Sequence, residues 1–86
     1  MENNNNSDTR VAVMSIIVEN LDSIETLNAT LHQYRRFIIG RMGLPYHQKN
    51  INIISIALDA PQDEISALSG QIGNLDGVSV KTAFSK

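Results

Sequence analysis

The residues with the most evident capacity for chemistry fall within Gly40–Asn52, GRMGLPYHQKNIN. Arg41 offers a planar guanidinium suited to a carboxylate or phosphate. Met42 and Tyr46 offer adaptable apolar contact, and the Asn52 amide offers a directional hydrogen bond with both a donor and an acceptor. These four residues form a candidate site for a small-molecule ligand, placed at a subunit interface. Gly40 and Gly43 flank Arg41-Met42, and glycine in a strand marks a bulge or the close approach of a ligand or second subunit. The competing reading is a solvated basic cluster, because Arg35, Arg36, His47 and Lys49 lie close by in sequence and surface charges commonly do no more than meet water. In simple alternation Arg41 shares a face with Phe37 and Ile39, reaching either the sheet rim or an anion across an interface.

No constellation for catalysis accompanies these residues, so the expectation is a protein that is not an enzyme. The chain has no cysteine, which removes thiolate nucleophiles, disulfides, iron–sulfur ligation and cysteine zinc sites together. His32 and His47 are its only histidines; the first reads as a solvated helix residue and the second as a loop residue. Their spacing does not define a metal site, and neither a metal nor a cofactor is expected. Ser15 and Ser55 occupy matching positions on two strands without a histidine placed as base, so they read as sheet residues. Gly70 and Gly73 form G-x-x-G inside a helix, which is not the strand–loop setting of a phosphate loop and reads as close packing or fraying.

The 86 residues, 42% apolar and 19% charged, allow one domain with a modest core, since a chain near this size buries only ~60–70% of its unfolded surface. A deep enclosed active site is not expected. The formal net charge of −2 supplies no general attraction to nucleic acid. Neither a helix-turn-helix nor an aromatic RNA-stacking signature is found, so direct nucleic-acid binding is not expected. No run approaches the ~18 apolar residues of a membrane span, and the N-terminus is polar and acidic. The expected location is cytoplasmic, away from membrane.

Two similar halves position the candidate residues. Residues 1–9, with four successive asparagines, read as a disordered tail that cannot repay the entropy of ordering; residues 10–86 read as the domain. VAVMSIIVE (11–19) is apolar on both alternating faces, as in a strand buried on both sides. Asn20 and Asp22 then offer capping oxygens, Glu25 follows Asp22 at capping-box spacing, and Ile24, Leu27, Leu31 and Tyr34 make a helical stripe. RFIIGRM (36–42) reads as a strand and GLPYHQKN (43–50) as a long hairpin connection. INIISIALD (51–59) is a second two-faced strand. Pro61, Asp63 and Glu64 open a helix with the stripe Ile65, Leu68, Ile72 and Leu75. Asp76-Gly77 turns into a last strand, Val78–Phe84.

The order β-α-β-β-α-β, with MSIIVE matching ISIALD, predicts an α+β ferredoxin-like sandwich: a four-stranded antiparallel sheet with two helices on one face. The first and third strands are central in that fold and are also the two-faced ones. The uncovered face therefore exposes a row of Val, Ile, Met and Leu that implies a partner. Self-association as a homodimer or homotetramer is the simplest provision.

The stretches RVAVMSIIVE, IIGRMGLPY, NINIISIALD and DEISALSGQIGNLDGVSVKTAFSK together resemble the iron-only hydrogenase system regulator family over residues 10–86. That resemblance implies an ACT-like variant of the ferredoxin-like fold, similar to the C-terminal domain of the nickel-responsive regulator. It implies a non-catalytic regulatory or ligand-sensing role in a homo-oligomer, with a small ligand and a regulatory protein as partners. A purely structural interaction module with no small ligand is the alternative. Two positions depart from related patterns. The turn after the first strand is Glu19-Asn20-Leu21-Asp22, without the glycine of amino-acid-binding ACT domains, and the two isolated histidines do not reproduce a nickel-sensing set.

Overall fold

The computed structural model describes residues 8–86, so most of the expected tail lies outside the described residues. The elements run β1 (Thr9–Val18), α1 (Ile24–Gln33), β2 (Ile38–Tyr46), β3 (Ile51–Pro61), α2 (Gln62–Gly73) and β4 (Val78–Phe84). Strand β1 thus begins at Thr9, one residue inside the span read as tail. The strands form one antiparallel sheet in the order β2-β3-β1-β4. This is the ferredoxin-like α+β arrangement expected from the doubled pattern, with β1 and β3 at the centre.

The core follows from strand alternation and helical spacing. Ala12, Met14, Ile16 and Val18 of β1 meet Ile54, Ile56, Leu58 and Ala60 of β3, and both sets are buried beneath Leu27 and Leu31 of α1 and Ile65, Leu68 and Ile72 of α2. Each Val, Leu, Ile or Met among them contributes about 1.5–3 kcal/mol relative to exposure. Ile24, Tyr34, Leu75, Val78 and Val80 pack around this centre. Tyr34 also accepts a hydrogen bond at its hydroxyl from Gln71 Nε2, at 2.8 Å, tying the end of α1 to α2. The central strands pair so that Ser15 lies directly opposite Ser55. These are the matching positions of the two halves, and the internal two-fold of the doubled fold passes between them.

Three local expectations change. The capping box does not form: Asn20 Oδ1 accepts from the Asp22 amide at 3.0 Å and caps a single 3-10 turn, Leu21–Ser23, while Ser23 Oγ donates to the Asp76 carbonyl at 2.7 Å. Asn20 thus supplies a local cap to the 3-10 turn, and Ser23 adds a tertiary tie to the turn before β4 in place of the capping box. Second, Arg36 and Phe37 belong to a 3-10 turn, and β2 continues through Gly43–Tyr46, which had read as connection. Pro45 is compatible with strand because β2 is an edge. The real connection is the turn His47–Lys49 with Asn50 in the left-handed region at φ 57°. Third, a bulge between Ile38 and Gly40 moves Arg41 off the face of Ile39. Ile38 pairs with Leu58 and Arg41 with Ile56, so Arg41 lies on the helix-covered side.

Gly77 is the one glycine that conformation demands. Its φ is +68°, and a Cβ there would fall 2.5 Å from Asn20 Cβ and 2.8 Å from Asn20 N. Its carbonyl accepts from Glu19 N at 2.7 Å, locking the turn before β4 against the end of β1.

Candidate functional site

The edge strand β2 separates the four candidate residues by face. Arg41 stands opposite Ile56 and the Pro45 position opposite Asn52, whereas Met42 stands opposite Ser55 and Tyr46 opposite Ile51. Arg41 and Asn52 meet at one cleft, between α1 and β2. Met42 and Tyr46 point from the opposite face, where they are 59% and 39% exposed. No single site in one subunit can use all four.

The cleft is lined by Ile24 and Asn28 of α1, Arg41 and Gly43–Pro45 of β2, and Asn52 and Ile54 of β3, with a volume of about 240 Å³. That is smaller than the ~300–1,000 Å³ usual for drug-sized ligands. Its walls are largely aliphatic, with the Asn28, Arg41 and Asn52 side chains supplying polarity. Arg41 Nη2 donates to Asn28 Oδ1 at 2.7 Å, which sets the guanidinium across the cleft. A second open cleft of about 300 Å³ shares Asn28 and Arg41 and is completed by Leu31, His32, Arg35 and Ile38. The Asn28–Arg41 pair is therefore a common wall, with an aliphatic compartment on one side and a basic one on the other. Sequence reading did not find Asn28, because nothing in a helical Asn distinguishes it until Arg41 is brought alongside.

The other basic residues disperse. Arg35 Nη1 donates to the His32 carbonyl at 2.8 Å near the end of α1, a favourable place for a cation. Arg36 lies over the Phe37 ring at 4.5 Å, and His47 and Lys49 occupy the turn at the far end of β2. Among the described residues no three His, Asp or Glu side chains gather to hold a metal ion. No helix among them is long and apolar enough to cross a membrane.

On the open face, Val11, Val13, Ile17, Met42, Leu44 and Tyr46 are each about 40–60% exposed. The row Leu44–Ile53–Ile17 runs across three strands before reaching Ser79, and the next row runs Met42–Ser55–Ser15–Lys81. The apolar character is thus concentrated toward β2, the strand that also lines the cleft.

The sequence pattern of the TM1266-like family, described as "Iron-only hydrogenase system regulator, putative", matches residues 10–82. The chain belongs to the TM1266-like family. The match takes in both helices, β2 and β3 whole, and all but the outer ends of β1 and β4. A solved structure of TM1266-like type, that of the uncharacterized protein TM1266 from Thermotoga maritima, is 34% identical. The alignment covers 91% of this chain and 99% of that one, with a TM-score of 0.87. A formyltetrahydrofolate deformylase from Pseudomonas putida KT2440 has a TM-score of 0.61 at 11% identity, over 85% of this chain and 28% of that one. At that identity the likeness is one of fold alone. Among curated proteins nothing matches the chain.

Proposed function

We propose that this TM1266-like chain is a non-catalytic regulatory module of an iron-only hydrogenase system, working as a homo-oligomer that senses a small ligand at the α1–β2 cleft. The observation that carries the reading is the double use of β2. Its one side lines the cleft through Arg41 and Gly43, and its other presents Met42, Leu44 and Tyr46 to the open face. A ligand that repositions this edge strand would alter the assembly surface directly. Self-association through the open face would cover apolar side chains that a monomer leaves in water. Met42 and Tyr46 then serve the subunit interface, while Arg41 and Asn52 serve the ligand. Regulation proceeds through a protein partner in the cytoplasm, with no direct contact to nucleic acid.

Light scattering across a concentration series tests the assembly half of this reading; a dimer or tetramer is expected at tens of micromolar, and a monomer throughout removes it. For the sensing half, a thermal-shift screen of metabolites should find compounds that raise the melting temperature by binding the folded state. Arg41→Ala should cancel the rise. Assembly without any ligand response would leave the structural interaction module as the correct reading.

A further inference from the structure

Gly43 has no steric or conformational reason to be glycine. Its φ is not positive, and a Cβ built there would meet nothing within 4 Å. Glycine inside a strand costs stability relative to residues with side chains. Gly43 pairs with Ile54, on the helix-covered side, and both residues line the cleft. The missing side chain therefore leaves open the space between β2 and α1.

The charge of that space is one-sided. Arg41 crosses it, and His32 and Arg35 line the adjoining cleft beyond the shared Asn28–Arg41 wall. Among the described residues no Asp or Glu lines either cleft, so a bound ammonium would find no carboxylate there. A guanidinium held at the end of an aliphatic slot matches an oxyanion joined to a short apolar body.

From Gly43 and this charge pattern we infer that the α1–β2 cleft binds a small organic anion lacking an ammonium group. Its oxyanion lies on the Arg41 guanidinium, its apolar part against Ile24 and Ile54, and Asn52 offers its amide; Gly43 keeps the entrance clear. This inference rests on the ligand-binding reading above and adds the ligand's chemical class and the residue that admits it.

The test is a ¹H–¹⁵N NMR titration of the full chain with pentanoate, 1-pentanol and norvaline, which share a five-carbon body and differ in charge. Pentanoate is expected to shift the amides of Arg41, Gly43, Leu44 and Asn52 and to bind up to roughly fivefold tighter than 1-pentanol, the increment of one partly exposed charge contact. Norvaline should bind more weakly than pentanoate. Gly43→Val should abolish the pentanoate shifts with the melting temperature unchanged or raised, and Arg41→Gln should reduce pentanoate to the level of 1-pentanol. If 1-pentanol or norvaline binds as tightly as pentanoate, the anion class is wrong while the ligand site survives. If Gly43→Val binds pentanoate like the parent chain, the cleft is not where it binds. Absence of shifts at the cleft with all three probes overturns this inference and the ligand-sensing reading together, leaving the assembly reading to the scattering measurement.

Discussion

Ile16 and Ile17 are consecutive, identical in chemistry and on the same central strand, yet Ile16 is fully buried and Ile17 is 42% exposed. The difference lies in what covers each face of the sheet. Two helices enclose the side of Ile16, and no element among the described residues covers that of Ile17. Apolar composition alone therefore does not define a core; a strand can be equally apolar on both faces when only one is enclosed by its own subunit. The largest expected effect tests this contrast within one strand. Ile16→Ala should destabilise the fold by about 2–5 kcal/mol, through lost transfer energy and the cavity left behind. In dilute protein, where subunits are separate, Ile17→Ala should cost less than about 1 kcal/mol. Urea unfolding of both variants measures the difference, and equal costs would break the comparison.

The second prediction concerns association. Ile17→Asp places a charge in the row Leu44–Ile53–Ile17, where an interface would have to desolvate it. The oligomer expected of the parent chain should dissociate, with the helical circular dichroism of the subunit retained. Light scattering of the variant at the concentration where the parent assembles gives the answer. A variant that remains assembled would point to contacts elsewhere, such as the free edges of β2 or β4.

This contrast also explains what sequence could and could not convey. Periodicity located both helices because Leu27, Leu31, Ile65, Leu68 and Ile72 recur at helical spacing, and the doubled pattern with its two-faced strands placed β1 and β3 at the centre. It failed along β2, where Gly43, Pro45 and Tyr46 carry the local signature of a turn. Their strand conformation comes from pairing with Ile51–Ile54, a tertiary contribution that outweighs propensity. The bulge after Ile38 has the same origin, and by adding one residue it inverted the expected face of Arg41. Thus the residue types of the cleft were legible, but their grouping was not. Arg41 and Asn52 came together with Asn28 only when α1 was laid over the sheet, and Met42 parted from them through strand alternation. Asn20 shows the same limit: it caps a local turn, as its type suggests, but its Nδ2 also donates to Asp76 Oδ2 at 2.5 Å across 56 positions of chain.

The smallest effect sharpens the comparison from the covered side. In β4, Val78, Val80 and Thr82 pair with Val18, Ile16 and Met14, so Thr82 occupies a place in the enclosed column. Its Oγ1 is buried without a hydrogen-bond partner among the described residues, and an unsatisfied buried hydroxyl costs on the order of 1–3 kcal/mol. Thr82→Val replaces that hydroxyl with a methyl of similar shape and should stabilise the fold by about 1 kcal/mol, or roughly 4–8 °C in melting temperature for a domain this size. Ser15, on the open face of β1, is exposed and its hydroxyl can meet water. Ser15→Val should therefore change the stability of the dilute subunit by no more than about 0.5 kcal/mol. Thermal unfolding of the two variants compares removal of a hydroxyl beneath the helices with removal of one in water. A gain at Thr82 and near-neutrality at Ser15 would show that enclosure sets the cost of a polar atom in this sheet. A loss at Thr82 would instead mean that its hydroxyl is satisfied by buried water.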